Sequence, residues 1–447
     1  MKHLITAAAL LTSTMSYGAT VAIIDSGTDM QHEVIAPQAW INPIEIPGND
    51  RDEDRNGYQD DIYGWNFAEG NNQVIDYSYL GLLTEDVKKF FAIQTKFFYG
   101  TASSEEITWM REQVKDEAFI KRLSTYGNFM HGTHVAGIAA KKNDAKILAI
   151  KLIPTEVKLP GQNLTEEGKG NSLKLKILRG LLTTLAKQQV KLMEEIGAYV
   201  NFHKAEIANG SFGTGFNQAK MIVETVGKVV VKDITPEQIE EMAHHFMNTL
   251  LLEGQKFVSA APKTLFVFAA GNDAMDNDKY PTFPTNIAAP NVISVAATLE
   301  DLTIAPFSNY GAKEVDVAAP GVGITSAAPG NNYIQVSGTS QAAPYVANIA
   351  AKVVEANPNL NPAQVREIII KTVDKRDFLK GKVSAEGIVN SERAIRAAEL
   401  SLEHSLEMSV EISHLEIIDS GNNKAFGPKS VAHKGFVLPL PSNFVIR

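Results

Sequence analysis

Val21-Ala22-Ile23-Ile24-Asp25-Ser26-Gly27 is a short, mostly β-branched apolar run that stops on a carboxylate and a glycine. A run of this length, bounded by a turn signal, reads as a buried strand. The pattern returns at Ile147-Leu148-Ala149-Ile150, Leu265-Phe266-Val267-Phe268 and Val292-Ile293-Ser294-Val295, each ending just before a Gly, Pro or polar cluster. Longer helical patterns separate these runs. The alternation predicts an α/β fold: a mostly parallel central sheet with helices on both faces. Ligands of such sheets bind beyond the carboxyl ends of the strands, so Asp25 and the residues after the other runs are the places to look for chemistry.

Helix starts are legible in two places. Ser103-Ser104-Glu105-Glu106 carries a capping box ahead of Ile107, Met110 and Val114, and Thr235-Pro236-Glu237-Gln238 puts proline at the first helical position. Beyond Ala398, Met408, Val410 and Ile412 alternate with Ser409 and Glu411, which predicts a strand in a small β extension over 399–447.

With 447 residues, 44% of them hydrophobic, the chain can bury a large core. A net charge of −9 offers no basic surface for a phosphate backbone, so nucleic acid is a poor partner. The absence of cysteine excludes disulfides, thiolate nucleophiles and cysteine-ligated zinc, and is compatible with export. Lys2-His3, the apolar stretch Leu4 to Leu11 and the small residues up to Gly18-Ala19 have the layout of a signal peptide over 1–18. The expected location is therefore periplasmic or secreted. No later stretch reaches the ~18 apolar residues of a membrane span, and a monomer is expected.

Three segments carry chemical meaning. An Asp at a strand end, such as Asp25, is by itself more often a turn residue. His131-Gly132-Thr133-His134-Val135-Ala136-Gly137 places a histidine beside glycine at the mouth of a helix, where a ring nitrogen can face a cleft. The His131/His134 spacing is not that of a zinc-binding His-Glu-x-x-His pair. Gly338-Thr339-Ser340-Gln341-Ala342-Ala343-Pro344 opens a helix, with Ser340 at its start and Pro344 expected in its first turn. In isolation Ser340 would be an N-cap.

Taken together, Ile-Ile-Asp-Ser-Gly-Thr around Asp25, His-Gly-Thr-His-Val-Ala-Gly from His131 and Gly-Thr-Ser-x-Ala-x-Pro around Ser340 resemble, in this order, the three signature segments of the subtilase family. Ala269-Ala270-Gly271-Asn272 resembles the family's oxyanion segment. The likeness runs in pieces over a peptidase domain at 19–398. It implies a subtilisin-like fold with helical insertions and a serine endopeptidase acting on proteins or peptides. Asp25, His131 and Ser340 would form the triad, Asn272 would be an oxyanion donor, and no catalytic cofactor is needed. By the same resemblance Ser211, Phe212 and Gly213 form one edge of a substrate cleft, with Ala269 and Gly271 lining a pocket. The reading from a different class is a catalytically silent subtilase fold used for binding or as a scaffold.

Asp52, Asp54, Asn56 and Asp60 place oxygen atoms at alternate positions around Gly57, the front half of a calcium loop, with Asp50 and Asp61 adding carboxylates. A structural calcium is expected to brace it. The sequence departs from the family pattern in helical insertions over 83–123, 155–199 and 215–262. It also has Gln341 where the family often has Met, Tyr345 where it often has His, and Asn348 where Gly is usual.

Overall fold

The computed structural model describes residues 18–156, 171–231, 233–419, 438 and 441. The expected signal segment therefore lies, apart from Gly18, outside the described residues. Strands occur at β1 (Thr20–Asp25), β2 (Gly64–Asn66), β3 (Lys146–Lys151), β4 (Ile207–Gly210), β5 (Leu265–Ala269), β6 (Val292–Leu299), β7 (Thr303–Ile304), β8 (Val317–Pro320), β9 (Ile324–Ala328), β10 (Asn332–Val336), β11 (Asp374–Lys375) and β12 (Gly387–Ile388). All four apolar runs read as strands in the sequence fall within β1, β3, β5 and β6.

The main sheet has the order β11-β12-β8-β6-β5-β4-β1-β3-β2, with β7 on β6 and a separate β9–β10 hairpin. From β2 to β12 the path is parallel, and β11 and β7 pair antiparallel. β1 lies between β3 and β4. The chain thus goes to one side of β1 for β3 and crosses to the other for β4, a topological switch point with Asp25 at its carboxyl end.

Helices occupy α1 (Glu85–Phe98), α2 (Ser104–Gln113), α3 (Glu117–Ala139), α4 (Asn171–Phe202), α5 (Phe216–Val230), α6 (Pro236–Ser259), α7 (Thr339–Ala356), α8 (Pro362–Lys371), α9 (Ser391–Leu400) and α10 (Leu406–Glu416). Because strand side chains alternate between faces, β1 sends Val21 and Ile23 to one core and Ala22 and Ile24 to the other. The first core is closed by α3 and α7 through Val135, Ala136, Val346 and Ala350. The second is closed by α4, α5 and α6 through Met193, Ile222 and Phe246. The segments expected as helical insertions hold α1 and α2, α4, and α5 with α6.

The strand expected at 408–412 is instead part of α10. Five alternating residues are too few to fix a period. Ser405 caps the helix by accepting from Met408 N, and Ser409, Val410 and Ser413 are buried at helical spacing. Residues 420–437 of the expected extension lie outside the described residues.

Candidate active site

Asp25 ends β1 with its carboxylate fully buried. Oδ1 accepts from Ser26 N at 2.7 Å and lies 2.7 Å from His131 Nδ1. Oδ2 meets no donor among the described residues. His131 is nearly buried and sits well inside α3, not at a helix mouth. The insertion before it is continuous with its helix: Asp116 caps that helix, and no proline breaks it before His131. Gly132 permits the approach of α3 to β1, since a Cβ there would come 2.3 Å from Gly27 O.

His134, one turn further, faces away from this pair. Its Nε2 donates to Ile334 O at 3.1 Å, and Gln341 Nε2 is 3.5 Å from its Nδ1. Complete burial, with a smaller contribution from His131, pushes its pKa down to about 3. It is a neutral tie between α3 and β10.

Ser340 is the second residue of α7, after the N-cap Gly338. Its Oγ donates to Ser211 O at 3.2 Å, and Ser211 Oγ donates in return to Ser340 O at 3.0 Å. Pro344 falls in the second turn of α7, not the first. Having no N–H, it cannot donate to the carbonyl four residues back, which is that of Ser340. Ser211 supplies the missing donor, so the proline and the serine after β4 form one unit around Ser340.

Asn272 follows β5. Its Oδ1 accepts from Thr339 N and Thr339 Oγ1, both at 2.9 Å. Two donors on that oxygen turn the amide NH₂ the other way, and there it donates to Leu438 O at 3.2 Å. Thr339 Oγ1 also accepts from Gly271 N at 3.1 Å. Gly271 has φ +117° and lies against Asn309, whose Nδ2 would be 2.4 Å from a Cβ there; both features require glycine. Thr339 is thus a site residue that sequence reasoning passed over, although it stands inside the Gly-Thr-Ser segment.

His131, Asn272, Ser340 and Gln341 line one cavity together with Phe91, Met130 and Leu438. Only about 30 Å³ of it is free, little more than a water molecule needs. Of the proposed cleft residues, Ser211 touches Ser340, and Gly213 N donates to Pro441 O at 3.0 Å. The Phe212 side chain is in the core, and Ala269 is fully buried at the end of β5.

In the acidic loop, Asp52 and Asp54 come together with Glu45, and Asp54 also with Asp61 and His203. Asp60 is turned instead to the backbone N–H groups of Gly48, Asn49 and Asp50. Asn56 presents its amide nitrogen to Asp54 and Asp61, and its oxygen accepts from Tyr58 N. The carboxylates of Glu45, Asp52 and Asp54 suit a hard cation. Of the residues expected there, Asp60 and Asn56 offer it no oxygen as oriented.

A family model described as the subtilase family matches residues 16–392. Alkaline elastase YaB of a Bacillus strain is 38% identical over 138 residues, which is 31% of this chain and 34% of that protein. Subtilisin-like protease 1 of Plasmodium vivax is 27% identical over 394 residues, 85% of this chain and 47% of that protein. The chain thus spans less than half the length of either relative. A solved lanthipeptide protease superposes with a TM-score of 0.47 at 18% identity, covering 85% of this chain and 89% of that one. With the family model matched across the sheet, from β1 through α7 and beyond, the chain belongs to the subtilase family of serine proteases.

Proposed function

We propose that this chain is a serine endopeptidase that hydrolyses peptide bonds through an acyl-enzyme, with Asp25, His131 and Ser340 as its triad. The observation that carries this reading is the 2.7 Å Asp25–His131 bond at the edge of a cavity that Ser340 and Asn272 also line. A serine hydroxyl is a weak nucleophile at neutral pH, so His131 Nε2 takes its proton as Ser340 Oγ attacks the substrate carbonyl. The same nitrogen then returns a proton to the leaving amine. Asp25 accepts from Nδ1–H, which fixes the tautomer and stabilises the imidazolium. In the structure the Ser340 hydroxyl is engaged with Ser211 O, and on this reading it leaves that acceptor for His131 when substrate binds, since catalytic hydrogen bonds often tighten only in the substrate complex.

The developing oxyanion meets the Asn272 amide and the Ser340 backbone N–H at the start of α7. These donors are held in place before reaction, since Thr339 fixes the Asn272 side chain. An exported location belongs to the same reading and is supported by the Lys2 to Ala19 pattern. A calcium ion held by Glu45, Asp52 and Asp54 would brace the loop before β2 and take no part in the chemistry.

The test is labelling by a fluorophosphonate, which reacts rapidly only with an activated serine, together with hydrolysis of an unfolded protein substrate. Label confined to Ser340, with both label and hydrolysis lost in a folded Ser340→Ala protein, supports the reading. In subtilisin the matching loss is about 2 × 10⁶ in kcat. Retention of a tenth of the wild-type rate by Ser340→Ala would refute it.

A further inference from the structure

Two donors proposed for substrate are already in use. The Asn272 amide holds Leu438 O at 3.2 Å, and Gly213 N holds Pro441 O at 3.0 Å. Both acceptors belong to the chain's own C-terminal region, more than a hundred positions from either donor. The Leu438 side chain packs into a wall made by Phe91 of α1, Met130 of α3 and Val336 of β10. At Gly127 it meets bare backbone, and a Cβ there would come 2.6 Å from Leu438 Cδ1.

We propose that the chain's own C-terminal region, held at Leu438 and Pro441, is a built-in ligand of the substrate cleft, one that must leave before a peptide enters. The proposal rests on the protease reading above for its consequence, but the docking itself does not. The sequence Leu438-Pro439-Leu440-Pro441 suits this role chemically. Each proline disfavours helix in the leucine before it and lacks an N–H, so the segment offers carbonyls to a cleft edge more readily than donors. These are the groups in use at 438 and 441. The nitrogen after the Leu438 carbonyl carries a proline ring carbon in place of hydrogen, which crowds the atom His131 would have to protonate. The segment therefore binds as a ligand and is not cut as a substrate.

Occupancy by Leu438 also names a subsite. The space between Phe91, Met130 and Val336 takes a branched apolar side chain. Phe91 comes from α1, so the first helical insertion supplies part of this wall. Peptides that present leucine or a similar residue there are the substrates, or trans-acting inhibitors, that the cleft selects.

The experiment uses the full chain. Leu438→Asp places a charge against the apolar wall and is expected to free the cleft while leaving Ser340, His131 and Asn272 untouched. If the segment is docked in nine molecules of ten, fluorophosphonate labelling of Ser340 should quicken by about tenfold in the variant. In parallel, a dye-labelled peptide with the sequence of residues 434–444 is titrated into Leu438→Asp protein and followed by anisotropy. Saturable binding that is lost when the peptide itself carries Leu438→Asp supports the docking. Absence of peptide binding together with equal labelling of wild type and variant overturns the proposal and leaves the protease reading intact. Binding of the peptide without Ser340 labelling in either protein has the opposite meaning: the docking stands and the protease reading falls. An intact mass that ends at Leu438 would overturn the assignment of this segment as an uncut ligand.

Discussion

Ser211 and Ser340 exchange hydrogen bonds in both directions, hydroxyl to carbonyl, at 3.0 and 3.2 Å. Pro344 makes one of the two necessary, because it leaves the buried Ser340 carbonyl without its helical donor. Ser211→Ala removes that donor, and an orphaned buried carbonyl costs about 1–3 kcal/mol. The expected outcome is a lower melting temperature and slower fluorophosphonate labelling. The double variant Ser211→Ala/Pro344→Ala should recover part of the stability, since alanine restores an N–H to the helix. Thermal melts of the four proteins decide this: equal losses with and without Pro344 would break the link.

Asp25→Asn separates chemistry from stability. Asn can keep Oδ1 as acceptor for Ser26 N and His131 Nδ1, and it puts a neutral amide where the unpartnered Oδ2 lies. What disappears is the negative charge that stabilises the imidazolium. The expected kcat falls by about 10⁴, the size of the matching change in another serine protease. The melting temperature holds or rises, because a buried charge no longer has to be desolvated. A kcat within about tenfold of wild type would remove Asp25 from the mechanism.

His134 makes a pH prediction with a definite sign. Burial holds its pKa near 3, against an ordinary value of 6.5. As pH falls below 6.5 the unfolded chain takes up a proton at this position that the folded chain does not. Stability from this group is therefore complete above 6.5 and is lost progressively down to about 3. Denaturant unfolding of wild type and His134→Gln across that window should show the steeper acid loss in wild type, although the variant starts less stable. Parallel pH curves for the two proteins would contradict it.

Chelation tests the acidic loop. With a calcium ion on Glu45, Asp52 and Asp54, removal lowers the melting temperature of a Ser340→Ala protein, in which autolysis cannot intervene. At a hundredfold excess over Kd the bound ion contributes about 2.7 kcal/mol. Asp54→Asn should abolish most of the difference between calcium and chelator. Superimposable melts with calcium and with chelator would exclude the ion.

The parts legible in the sequence were those with a short-range signature. Apolar runs that stop at Gly or polar clusters marked β1, β3, β5 and β6, a capping box marked the start of α2, and a proline at the first helical position marked that of α6. His131 was placed at a helix start because glycine beside it resembles a boundary, and only packing against Gly27 O shows why glycine stands inside α3. The α10 error came from five residues that satisfy two periods at once. His203 at the acidic loop was invisible for another reason: its approach to Asp54 and Asp61 depends on the end of α4 returning across the sheet. Leu438 is the extreme case. Nothing local ties it to Asn272, which stands 166 positions away.

The position of β1 dictates an order of assembly. The first of the described strands is a central one, flanked by partners that begin at Lys146 and Ile207. Until Gly210 has been synthesised, Val21 to Ile24 cannot be covered on both edges, so the apolar strand bearing Asp25 waits exposed. At about 5–20 residues per second, the wait is on the order of ten seconds or more, far longer than local helix formation. Helices α1 to α3 can form meanwhile, but His131 has no fixed place to meet Asp25 until the sheet closes around β1. The Asp25–His131 pair thus waits on strands made long after Asp25 itself, and a nascent chain cut short before β4 carries every atom of that pair without the sheet that aligns it.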